Sequence, residues 1–210
     1  MGAGLVIVVG LGREARIAEG RGRVAIGASA IADALAGARG LISFGICGAL
    51  DPALAVGDLV VGDGVVGGDG PLATDRAWTN ALRAALPGSR AGLVAGGDVI
   101  AGSLAAKAAL RLASGAAVVD MESHAVARAA RDAGLPFAVI RAVSDGAGHA
   151  LPRAAQAGFK ADGEPDVGAV VRALAARPWE LLALIRTAVE AEKAFRSLAV
   201  AAQALTSLPP

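Results

Sequence analysis

The chain alternates unbroken apolar runs with segments of helical periodicity, and this alternation most constrains its fold. Gly4-Leu5-Val6-Ile7-Val8-Val9 is apolar at every position and ends in the turn Gly10-Leu11-Gly12. Such a run suits a strand buried on both faces, as in a sheet covered by helices. Further strands are expected at 24–27, 40–46, 58–66, 91–95, 116–119 and 137–143. Helices are expected at 30–36, 75–86, 103–113, 123–133 and 166–176. Ser103 is placed to cap one of these, and Gly134-Leu135-Pro136 to end another. The pattern predicts an α/β fold: three αβα layers around a central mixed, mostly parallel twisted sheet. With 210 residues, no internal repeat and no linker-like stretch, a single domain over 1–210 is expected.

The tail differs. A helix is expected at about 178–207, with Leu181, Leu184, Ile185, Ala188, Phe195, Leu198, Ala202 and Leu205 at helical spacing. Glu180, Arg186, Glu190, Glu192, Lys193 and Arg196 argue against a membrane span. This helix packs on its own domain or on a partner subunit, or it lies on a membrane surface. Elsewhere no apolar run reaches the roughly 18–20 residues of a span. Met1–Leu11 lacks a basic leader and reads as a core strand rather than a signal peptide.

Charge and composition exclude other classes. Twenty basic against nineteen acidic residues give a net charge of +1, no electrostatic case for nucleic acid. Aromatics are 3% and Tyr is absent, so base-stacking platforms are not expected. A single Cys47 excludes an intrachain disulfide framework and a multi-Cys metal site, and no metal is expected. The expected compartment is the cytoplasm, with peripheral membrane contact as the alternative.

Two carboxylates stand out. Glu122 follows a strand and sits near the start of the next helix, where the helix dipole favours an ionised carboxylate. It reads as a clamp for two sugar hydroxyls, or as a helix-start acid or salt-bridge partner. Asp120, two residues earlier, is expected to point elsewhere. Asp145 ends the apolar strand 137–143, at the strand edge where α/β sheets bind ligands. It reads as a general acid, or as a cap for the turn Ser144-Asp145-Gly146. Gly45-Ile46-Cys47-Gly48 offers either a backbone surface for a ligand or a plain tight turn. Gly10-Leu11-Gly12-Arg13-Glu14 matches neither the dinucleotide fingerprint nor a P-loop. His124 and His149 form no nucleophile motif and read as a helix-surface and a loop residue.

Together these pieces resemble the purine nucleoside phosphorylase and methylthioadenosine/S-adenosylhomocysteine nucleosidase superfamily over roughly residues 4–150. The matching segments are the first strand with Gly10 to Glu14, Gly45 to Leu50 continuing to Val61, Gly97-Asp98-Val99-Ile100, Asp120-Met121-Glu122-Ser123, and Pro136-Phe137 through Arg141-Ala142-Val143-Ser144-Asp145. The resemblance implies that Glu122 binds the ribose 2′- and 3′-hydroxyls and that Met121 packs on the sugar. It implies that Asp145 hydrogen-bonds or protonates purine N7, that Ser144 positions that loop, and that backbone at Val99 and Ile100 lines the base pocket. Gly45 and Phe137 count with the substrate-binding positions. Ile46 stands where many members carry the Ser or Thr that binds phosphate or water, leaving Gly12, Arg13, Ser43 and the Gly45 amide as substitutes. Glu14 falls near the water-activating Glu of the hydrolytic branch.

Within the superfamily, Gly48 to Leu54, Glu14 to Ala18 and Arg177-Pro178-Trp179-Glu180-Leu181 are similar to the hopanoid-associated phosphorylases. That similarity implies phosphorolysis of adenosylhopane to adenine and a phosphoribosyl product. The implied co-substrate is inorganic phosphate, with no cofactor, and the implied assembly is a homodimer or higher oligomer. The alternatives are a hydrolytic nucleosidase and a non-catalytic nucleoside-binding protein. The loop 146–165, rich in Gly and Ala, reads as a lid or a disordered segment.

Overall fold

A computed structural model describes residues 4–68, 70–97, 100–158 and 166–209. The described strands are β1 (Gly4–Val9), β2 (Arg23–Ile26), β3 (Ala38–Ala49), β4 (Leu59–Gly67), β5 (Gly70–Ala73), β6 (Arg90–Gly96), β7 (Val118–Asp120) and β8 (Phe137–Asp145). The helices are α1 (Gly12–Ala18), α2 (Ile31–Ala34), α3 (Arg76–Ala85), α4 (Leu104–Ser114), α5 (Ser123–Ala133), α6 (Arg153–Ala157), α7 (Val167–Ala176) and α8 (Leu181–Ala201).

The sheet is mixed and mostly parallel, as the apolar runs predict. β2, β1, β3 and β8 lie side by side in parallel. β3 also pairs antiparallel with β7, β7 runs parallel to β6, and β6 runs parallel to β4. β4 then pairs antiparallel with β8, so β3, β7, β6, β4 and β8 close a ring. The strands bend at register shifts beside glycine, between Cys47 and Gly48 and between Gly62 and Gly64. A Cβ on Gly62 would lie 3.1 Å from the Val94 side chain and 3.2 Å from Val139, so the ring interior there holds only glycine comfortably.

Helices cover both faces. On one, Trp78 and Leu82 of α3 and Phe195, Leu198 and Ala201 of α8 pack with Ile7, Val9, Ile42, Phe44 and Ile140. On the other, Val126, Ala127 and Ala130 of α5 and Ile31 and Ala34 of α2 pack with Val6, Val8, Leu41, Val139 and Val143. Successive residues of β1 therefore enter opposite cores, which is why no polar residue interrupts it.

Several elements were not anticipated. α1 is two turns long and starts inside a Gly-Leu-Gly turn, too short to show periodicity. β5 is a four-residue edge strand containing Pro71, which weakens any strand pattern. α6 lies within the segment 146–165 that the sequence leaves as a loop; residues 159–165 lie outside the described residues. The tail forms the expected helix, and its second half docks on its own sheet through Phe195, Leu198 and Ala201. In its first half Leu181, Leu182, Ile185 and Val189 are exposed. Among the described residues no helix is long and apolar enough to cross a membrane.

Leu198 is fully buried between α8 and the sheet. Leu198→Ala should lower the unfolding free energy by about 2–5 kcal/mol, the range for a buried leucine that leaves a cavity. A urea titration checks it: a midpoint equal to wild type would mean that α8 is not part of the cooperative core.

Candidate active site

The four parallel strands β2, β1, β3 and β8 end on one edge of the sheet, where α/β sheets place ligand sites. A cavity of about 680 Å³ opens there. Its wall includes Gly27 and Ala28 after β2, Gly10, Leu11 and Glu14 after β1, Ile46, Cys47 and Gly48 of β3, and Ser144 and Asp145 of β8. Asp120, Met121 and Glu122 close it from β7, with Ile100, Ala101, Leu151 and Gln156 at the rim.

Glu14 sits in the first turn of α1 and is almost fully buried. One carboxyl oxygen accepts from the Gly10 and Leu11 amides at 2.8 and 2.9 Å, the other from the Ile46 amide at 2.7 Å. Burial pushes its pKa up to about 7, against the nearby Arg141 cation and these amide donors, which favour the ion.

Arg141, in the middle of β8, has no exposed surface. Its Nε lies 2.6 Å from Asp120 Oδ2, out of line for a hydrogen bond, so that contact is ionic. Nη2 donates to Ser43 Oγ at 2.5 Å and to Ser123 Oγ at 3.2 Å, and lies 3.7 Å from Glu122 Oε2. Asp120 also accepts from the Glu122 and Ser123 amides at 3.1 and 2.8 Å, holding the start of α5. Contrary to expectation, Asp120 therefore points into the site. Burial raises the pKa of Glu122, opposed by Arg141 and reinforced by the Asp120 charge.

Asp145 is buried at the end of β8 and paired with Lys107 of α4. Ser144 Oγ lies 2.9 Å from Asp145 Oδ1 and 3.0 Å from the Cys47 carbonyl. Burial pushes the Cys47 thiol well above its ordinary range, which keeps it protonated and a poor nucleophile.

The remaining expected site residues divide. Met121, Ile46 and Ile100 line the cavity, and Val99 lies outside the described residues. Gly45 does not line it: a Cβ there would meet Arg141 Nη1 and Glu14 Oε1, both at 2.5 Å, so this glycine makes room for those side chains. Ser43 is fully buried beneath Arg141 and supports the guanidinium instead of facing the cavity. Arg13 turns away, pairing with Glu192 at 2.6 Å and stacking over the Phe195 ring of α8. Gly12 begins α1 and does not line the cavity. Phe137 starts β8 in the core opposite Leu41, eight residues and about 26 Å along the strand from Asp145, too far for the ligand contact expected of it. His149 faces Arg186 and Glu190 of α8, and neither it nor His124 is part of the cavity wall. Lys107 gave no sequence signal of its own, because a buried lysine in an Ala-rich helix looks like a solvated one until the helix is docked; Arg141 lies in the matched segment 136–145 but was given no role there. Among the described residues no group of three His, Cys, Asp or Glu is placed to hold a metal ion.

An α/β fold with a ligand cavity at its parallel strand ends, lined by four carboxylates, defines the class. The model of the Phosphorylase superfamily matches residues 2–176, and the chain belongs to that family. No curated protein matches it in sequence. Among solved structures it is similar to a Helicobacter pylori 5′-methylthioadenosine/S-adenosylhomocysteine nucleosidase mutant with 5′-methylthioadenosine in the active site (TM-score 0.68, 17% identity, 99% of this chain and 98% of that one). It is also similar to the Streptococcus pyogenes S-adenosylhomocysteine nucleosidase in complex with 5-methylthiotubericidin (0.63, 24%, 70% and 86%). A third likeness is the Helicobacter pylori futalosine hydrolase (0.61, 19%, 69% and 88%). These likenesses concern the fold.

Because folding raises the Glu14 pKa from 4.5 to about 7, the native state binds the extra proton in that window. The Glu14 contribution to stability should fall by about 3 kcal/mol as pH rises from 4.5 to above 7. Chemical denaturation at several pH values reads this slope, and Glu14→Gln should flatten it. Gly10→Ala would place a Cβ 2.7 Å from Glu122 Cδ. Glu122 is flexible enough to yield, so the fold should survive while kcat/KM drops roughly 10²-fold, as for a misplaced site group. Circular dichroism alongside steady-state kinetics separates the two effects.

Proposed function

We propose that the protein cleaves the N-glycosidic bond of a purine nucleoside with water as nucleophile. Glu14 carries this reading. It is fixed by three backbone donors beside the sugar-facing Glu122, and its pKa of about 7 suits a general base at neutral pH. Water attacks the sugar carbon and gives its proton to Glu14. The electron pair of the breaking C–N bond passes into the purine, whose N7 takes a proton from the Asp145 carboxyl; Asp145 is reprotonated from solvent as Glu14 releases the proton it took from water. Glu122 grips the ribose hydroxyls, and Met121 packs on the sugar face.

Phosphorolysis is less well served. Among the described residues, no Lys, Arg or His lines the cavity, and four carboxylates do. A phosphate dianion there would face like charge with no cation at hand. Arg13 is committed to Glu192, and Arg141 is sealed behind Asp120 and Ser43.

The sheet order also suggests where the rest of the substrate goes. From β8 through β3 and β1 to β2 the strand ends span about 14 Å. With the base at Asp145 and the sugar over Gly10 and Glu122, the 5′-substituent extends toward Leu11, Gly27 and Ala28. That end is apolar and favours an apolar substituent, in keeping with the adenosylhopane implied by the sequence resemblance.

The test is base release from adenosines carrying methylthio, long alkyl or homocysteine 5′-groups, with and without phosphate. The expected outcome is release in phosphate-free buffer, a free reducing sugar, and preference for the apolar groups. Glu14→Gln should slow turnover on the order of 10²–10⁴-fold. Strict dependence on phosphate, with a sugar 1-phosphate product, would overturn the hydrolytic reading.

A further inference from the structure

Helix α4 packs in an unusual way. Leu104 and Leu112 are exposed, the latter at 90%, whereas the one residue α4 buries is Lys107, at 2%. An ammonium taken out of water is costly unless its N–H groups are satisfied. Here Nζ pairs with Asp145 Oδ2 and donates to the Gly146 carbonyl at 2.8 Å. Both acceptors belong to the last turn of backbone leaving β8. On the other side, Ser144 Oγ stands 2.9 Å from Oδ1 of the same carboxyl. The carboxyl plane is thus held from both oxygens, and A Cβ on Gly48 would lie 3.1 Å from Oδ2, so the strand behind offers it no larger side chain to lean on.

We infer that Lys107 is the positioning residue for Asp145. It does not line the cavity. It aims the Asp145 carboxyl at the base, so that N7 takes its proton as the C–N electron pair moves into the purine. This rests on the reading of Asp145 as the group that meets N7. A carboxyl with its plane fixed needs no reorganisation as its proton passes to N7, and the Lys107 ammonium stabilises the carboxylate left behind.

The experiment compares Lys107→Met, Lys107→Arg, Asp145→Asn and the double variant Lys107→Met/Asp145→Asn on two substrates. One is an adenine nucleoside; the other is p-nitrophenyl β-D-riboside, whose leaving group departs without N7. Lys107→Met should lower kcat on the nucleoside roughly 10²-fold with little change in KM, and leave the p-nitrophenyl rate within a few fold. Lys107→Arg should recover part of the loss. The double variant, which leaves no unpaired buried charge, should be no slower than Asp145→Asn alone. Equal losses on both substrates, or additive losses in the double variant, would show a merely structural lysine and overturn the inference. If Lys107→Met does not fold, Lys107→Arg and the double variant still decide. A wild-type protein that cleaves the p-nitrophenyl riboside but no purine nucleoside would instead remove the reading of Asp145.

Discussion

The guanidinium of Arg141 is the contact on which the site depends. It lies in the centre of a strand with no exposed surface. A buried cation is tolerated only with close anionic and hydrogen-bonding partners, and breaking such a pair costs about 3–5 kcal/mol. Those partners come from separate parts of the chain: Asp120 at the end of β7, Glu122 in the turn after it, Ser43 in β3 and Ser123 at the start of α5. The same charge offsets part of the burial penalty on Glu14. One cation thereby holds three acids near each other that would otherwise repel, and the candidate sugar clamp and the candidate base are two of them.

The sheet topology supplies the layout. Four parallel strands present their ends in a row, so the positions after β2, β1, β3 and β8 become successive stations along one cavity. The ring closure brings β7 to β3 from the opposite direction, which delivers Asp120, Met121 and Glu122 over that row. In the sequence, 116–119 and 137–143 read as one strand–helix–strand unit. In the fold β3 stands between the two strands and pairs with both. The acids thus face each other across β3 and are not neighbours on adjacent strands.

Much of this was legible beforehand where a local rule applied. Continuous apolar runs located the strands because both faces of the sheet are covered. Ser103 accepts from the Ala106 amide and caps α4, and Gly134 ends α5 in the left-handed region, as their residue types predict. Glu122 and Asp145 were marked by being acids at apolar strand ends. The rule failed where it had no reach. Phe137 shares a motif with Asp145 but lies at the other end of the same strand. Asp120 ends β7 and Glu122 lies in the turn beyond it, out of reach of any strand rule, and that turn brings both to the same guanidinium.

The sequence by itself determined the fold class, the strand ends that carry acids, and the family. Only the tertiary structure decided which charges serve the site. Arg13 and Glu14 are consecutive, and about 100° of helix rotation separates them. The docking of α1 against β3 and α8 sends the acid into the cavity and the base to Glu192. Lys107 likewise looks like any solvated lysine until α4 is laid across the end of β8. The physical reason is the same in each case. Periodicity and capping act within a few residues, whereas the cost of burying a charge is settled by partners that are distant in sequence.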